Sequence, residues 1–132
     1  MTEDNEDPLK KLYLNTEEMD RERLADVLKG RIGIDEETGD PYFMGEFSKL
    51  NNKQKIVTYL LYRKAAVALN KIDGDKEGVK SQIISDEIGV KYDSVRSWLS
   101  KMDYIEKNGD KEGYYIPGYA MNEAIEVLPD DE

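Results

Sequence analysis

The sequence predicts an α+β fold that is mainly helical, and three observations carry that expectation. Segment 51–70 opens with a helix-capping signature and then places apolar residues on more than one helical face. Residues 81–102 hold two short apolar patterns of helical period, separated by Gly89. Two pairs of short strand-like runs, 32–44 and 104–117, are each interrupted by turn-forming residues.

In chain order, residues 1–15 read as a flexible acidic arm. A helix follows over 16–29: Asn15 and Glu18 have capping-box spacing, Leu24, Val27 and Leu28 form a short stripe, and Gly30 ends it. Ile32 and Ile34, the turn Glu37-Thr38-Gly39-Asp40, and Tyr42 to Met44 predict a β-hairpin, so 16–50 forms a helix and β-hairpin extension. In the long helix, Asn51 and Gln54 repeat the capping box. Ile56, Val57, Leu60, Leu61, Ala65, Ala68 and Leu69 then spread so widely that burial against several elements is expected. A loop leads to a short strand near Val79. The last elements are helices in 81–89 and 93–102, strands in 104–107 and 114–117, and a C-terminal helix in 118–128 with Met121, Ala124, Ile125 and Leu128 on one side. The expected main domain is thus 51–128, with an acidic tail at 129–132. The pentapeptide GDKEG occurs at 74–78 and 109–113, both in expected turns; shared turn chemistry accounts for it without a structural repeat.

The most informative stretch is 79–116. Ile84 and Ile88, four apart, bury one short helix; Gly89 permits the positive φ that ends it, and Val90 plugs the corner. Val95, Leu99 and Met102 bury the next helix, while Ser85 is small enough to let the two cross closely. Two helices crossing through a glycine turn make a helix-turn-helix, and a hairpin directly after it makes a wing. The run IISDEIGVKYDSVRSWLSKMDYIEKNGDKEGYYI resembles the winged helix-turn-helix of prokaryotic transcription factors of the GntR and MarR type. Ile84, Ser85, Ile88, Gly89, Val90, Ser94, Val95, Arg96, Leu99 and Met102 fall in register with that pattern. With the long helix, the resemblance covers about half the chain, and the whole is similar to small archaeal proteins of this class. Two positions depart from the pattern. Lys91 stands where Ser or Thr is frequent, and Trp98, the only Trp, stands where Ala is frequent. Trp98 is read either as an extra core residue or as a contact to the wing, the N-terminal hairpin or a second subunit.

The resemblance implies a transcriptional regulator whose helix 92–102 enters the major groove of double-stranded DNA. Tyr92, Asp93, Ser94, Arg96 and Ser97 would face outward. Arg96 has the donor fork for a guanine edge, Ser94 and Ser97 can bond a base or a phosphate, and Lys91, Lys101, Lys107 and Lys111 would hold the backbone. One such helix reads few base pairs, so a homodimer is expected, with 16–50 and the long helix as spare surface for pairing.

Charge sets a competing expectation. The chain has 19 basic and 29 acidic residues, a net charge of −10. Residues 117–132 carry half of that excess, whereas 78–116 is nearly neutral, with six basic and seven acidic residues. The alternative is an acidic winged-helix module that binds a basic protein partner and not DNA. Cys and His are both absent, which removes thiolate metal sites, disulfides and the usual general base near neutral pH. DGDKEG at 73–78 imitates the start of a calcium loop, but its twelfth position is Ile84. No phosphate-binding glycine loop is present. Neither enzyme activity nor a cofactor is expected. The uncharged run 56–62 is too short to span a bilayer and no apolar leader is visible, so a cytoplasmic protein is expected.

Overall fold

A computed structural model describes residues 8–9, 16–108 and 113–129. The fold is α+β and mainly helical: α1 (Thr16–Leu28), β1 (Ile32–Ile34), β2 (Pro41–Phe43), α2 (Asn52–Ala68), α3 (Ser81–Ile88), α4 (Tyr92–Lys101), β3 (Glu106–Asn108), β4 (Gly113–Tyr115) and α5 (Met121–Ile125). The two sheets are antiparallel pairs, β1 with β2 and β3 with β4.

Helix α2 is the axle. Its seven residues from Ile56 to Tyr62 are all buried, so its middle is covered on every side. It touches α1, α3, α4, α5, β1 and β4. The cap that starts it is the one read from the sequence: Asn51 accepts from the Gln54 amide at 2.8 Å and the Gln54 side chain accepts from the Asn51 amide at 3.0 Å. The helix stops at Ala68, two residues short of the expected 70. Asn70 takes a left-handed φ of 64°, a conformation asparagine tolerates, and Leu69 is left 52% exposed and outside the core.

The first hairpin forms in the expected place, with Gly33 opposite Tyr42. Asp35 builds its turn by accepting from the amides of Glu37 and Thr38 at 2.8 and 2.9 Å, and these bonds hold its carboxyl below the usual aspartate range. Gly39 closes the turn at φ 82°, and its carbonyl accepts from the Tyr62 hydroxyl at 2.5 Å, which ties the hairpin to α2. A 3₁₀ turn over Gly45–Lys49, unmarked by any apolar periodicity, then buries Phe47.

The C-terminal helix is shorter than expected. Gly118–Ala120 forms a 3₁₀ turn, α5 spans only Met121–Ile125, and Val127 and Leu128 close with i to i−3 hydrogen bonds of 3.2 and 3.0 Å. Pro117 and Pro129 bracket this segment and leave little room for a long α-helix. The four predicted core residues, Met121, Ala124, Ile125 and Leu128, are nonetheless buried. Arg31, itself buried, donates to the carbonyls of Val27 at 2.7 Å and Pro129 at 2.9 Å, fastening Pro129 to the end of α1. No helix among the described residues is long and apolar enough to cross a membrane. Asn15, Lys111 and the acidic tail beyond Pro129 lie outside the described residues.

Candidate functional site around α4 and the second hairpin

Helices α3 and α4 meet at Gly89, which has φ 73° and ψ 25°. The Gly89 amide donates to the Ser85 carbonyl at 3.0 Å, and the Ser85 hydroxyl reaches past the corner to the Val90 carbonyl at 2.6 Å. Ser85 therefore does more than leave space at the crossing; it fixes the turn. Ile84, Ile88, Val90, Val95, Leu99 and Met102 are all buried. With one face of α4 committed to the core, its polar face is left outward. Tyr92, Asp93, Arg96, Ser97 and Lys101 are exposed and Ser94 is half-buried. Lys91 is the N-cap residue of α4 and makes no side-chain cap.

The second hairpin lies beside this face. Lys107 pairs across the strands with Tyr114, and Glu106 with Tyr115. Successive strand residues point to opposite sides, and here that separates the charges. Lys107 turns toward α4. Glu106 turns away and accepts a hydrogen bond from the Tyr119 hydroxyl, which raises the tyrosine's pKa. Tyr119 is 81% exposed, and this is the one side-chain hydrogen bond it makes among the described residues.

Between the start of α3, α4 and the hairpin lies a polar cleft of about 250 Å³, lined by Lys80, Ser81, Tyr92, Arg96, Lys107 and Tyr114. The Arg96 guanidinium carbon is 5.8 Å from the Tyr92 ring centroid, and Lys107 Nζ is 5.8 Å from that of Tyr114. Of the residues expected to form a site, the structure brings together Tyr92, Arg96 and Lys107. Lys91, Ser94, Ser97 and Lys101 do not line the cleft. Lys101 sits round the helix, 5.4 Å from the Trp98 ring centroid, and Lys53 of α2 approaches the same ring at 5.6 Å. Trp98 thus packs half-buried at the edge of the core, between α4 and the start of α2. Lys80 and Ser81 were absent from the expected set. Their only signal was position: they immediately follow the Val79 strand and open α3.

A second concavity, apolar and about 650 Å³, lies between α1, β1 and the end of α2, with Leu24, Leu28, Ile32 and Ala65 in its wall. Among the described residues, no group of three or more Asp or Glu side chains is close enough to hold a metal ion. Comparison with protein-family models, curated proteins and solved structures finds no match.

Proposed function

We propose that the chain is a winged helix-turn-helix protein of prokaryotic, archaeal type that binds double-stranded DNA as a transcriptional regulator. In this reading α4 enters the major groove and the β3–β4 hairpin is the wing. The observation that carries it is the sorting of charge on β3: Lys107 joins Arg96 beside α4, while the Glu106 carboxylate is directed away and engaged by Tyr119. The hairpin's Glu106 is thereby kept off the surface that must meet phosphate, which leaves Asp93 as the acid on the exposed face of α4. The exposed face of α4, uncovered by other described parts of the chain, supports the same reading. Pairing of two copies through the first hairpin goes with it, because Tyr42, Phe43 and Met44 leave consecutive large apolar side chains exposed.

The test is an anisotropy titration of duplex genomic fragments at two salt concentrations, with Arg96→Ala beside the parent. Binding that falls steeply with salt and weakens in the variant is expected. Equal, weak binding by both proteins removes the assignment. It then favours the alternative of an acidic module for a basic protein partner, which the net charge of −10 supports.

A further inference from the structure

We propose that the cleft between α3, α4 and the second hairpin is a seat for one phosphate group, formed by Lys80, Ser81, Arg96 and Lys107, and that Arg96 is therefore a backbone-positioning residue and not a base reader. The source of that phosphate, the DNA backbone, rests on the function proposed above; the seat itself does not.

Three cations from three separate elements line one small polar cleft. Lys80 comes from the residue before α3, Arg96 from α4 and Lys107 from β3. Among the described residues, no carboxylate lines it. Among the described residues, none of the three cations has an ion-pair partner, although the chain carries ten more acids than bases. Gathering three like charges costs free energy unless an anion or water offsets it. The two rings fix where the cations point. Tyr92 lies under the Arg96 guanidinium and Tyr114 under the Lys107 ammonium, at 5.8 Å in each case, so both heads are held at the cleft. The Ser81 hydroxyl adds a neutral donor. A fork, two point charges and a hydroxyl around a space of about 250 Å³ suit a tetrahedral oxyanion with its water.

The consequence for reading is specific. An Arg96 side chain drawn back toward Lys107 cannot also lay its fork along a guanine edge. Sequence preference then falls to Ser94, Ser97 and DNA shape.

Two measurements test the seat. The first is a titration of the full chain with inorganic phosphate, followed by backbone amide NMR against sodium chloride of equal ionic strength. Saturable shifts confined to Lys80, Ser81, Arg96, Lys107 and their neighbours are expected, and Lys80→Ala and Lys107→Ala should abolish saturation. These lysines are exposed, so both variants should fold. Shifts that chloride reproduces, or that survive both substitutions, overturn the seat. The second is duplex binding by Lys80→Ala and Arg96→Ala over several sequences. Both should lose affinity severalfold by the same factor on every duplex, and reduce the salt slope by about one. Loss of preference among sequences in Arg96→Ala, with random-duplex affinity intact, makes Arg96 a base reader and overturns the proposal. Saturable phosphate binding without duplex binding keeps the seat and removes the DNA reading. Duplex binding with no phosphate response and a neutral Lys80→Ala does the reverse.

Discussion

Gly78 and Gly113 touch backbone to backbone. A Cβ on Gly113 would lie 2.9 Å from the carbonyl carbon of Gly78, and one on Gly78 would lie 3.1 Å from that of Gly113. These are the closing glycines of the two GDKEG pentapeptides. Just beyond them Val79 and Tyr114 exchange a pair of backbone hydrogen bonds, 3.1 and 2.7 Å. Arg63 of α2 holds the first copy by donating to the carbonyls of Lys76 and Glu77, at 2.5 and 3.1 Å. Shared turn chemistry is thus joined by a shared use of the last glycine. Gly113→Ala should push the strands apart and cost about 1–3 kcal/mol in urea unfolding. Gly74→Ala has no neighbour within 4 Å and is the control; it should be neutral or stabilise by up to about 0.5 kcal/mol.

The corner at Gly89 is governed by conformation, not by space. Nothing lies within 4 Å of a Cβ built there, yet its φ of 73° disfavours any other L residue. Gly89→Ala should cost about 1 kcal/mol, and Gly89→Asn less, because asparagine visits this region more readily. Ser85→Ala removes the bond to Val90 and should cost about 0.5–1.5 kcal/mol. If the pair of substitutions costs just the sum of the singles, the hydroxyl does not act on the corner.

Thr58 is fully buried in α2, and its Oγ1 has no hydrogen-bond partner among the described residues. An unmatched buried hydroxyl carries a desolvation cost of about 1–3 kcal/mol. Thr58→Val replaces it with a methyl of similar shape. The variant should raise the thermal midpoint, with a gain of about 1 kcal/mol; a loss of stability would mean that Oγ1 does have a partner in solution.

Burial pushes the Tyr59 hydroxyl up to about 12, although the Arg63 charge opposes the shift. Tyr62 and Tyr104 move the same way for the same leading cause. A pKa raised on folding gives stability that is whole below the unfolded value of 10.0 and is lost as pH rises through the folded value. The urea midpoint should therefore fall between about pH 10 and about pH 12. Tyr59→Phe should flatten part of that fall, leaving the part owed to the other two rings.

Helix positions were legible wherever an apolar period coincided with a cap: Asn51 with Gln54 at one end of α2, Gly89 at the end of α3. The ends of α2 and of the C-terminal segment were not, because Asn70 and the two prolines act through backbone conformation, which an apolar stripe does not record. Half of the cleft's lining could be read from the sequence, Tyr92 and Arg96 from α4 and Lys107 from the hairpin. Lys80 and Ser81 could not, since they reach the cleft only through the Val79–Tyr114 bridge, a contact 35 residues long in sequence. Trp98 was recognised as out of place, but its partner Lys53 lies on another helix and carries no local mark.

The Glu106–Tyr119 bond bears on the proposed function most directly. Its hydroxyl neutralises nothing, but it holds the carboxylate on the side of β3 away from Arg96. Tyr119→Phe removes the only donor recorded for that carboxylate among the described residues, freeing it to swing toward bound DNA. Duplex affinity should then drop by about two- to threefold at low salt, and Glu106→Gln should raise it by a similar factor. Both effects should vanish when the screening length falls to about 3 Å in 1 M salt. Because both groups are at the surface, the unfolding midpoints should stay within about 0.5 kcal/mol of the parent. Affinity unchanged in both variants would show that the outward side of β3 never comes near the phosphates, and would move the DNA contact of the hairpin to Lys107 alone.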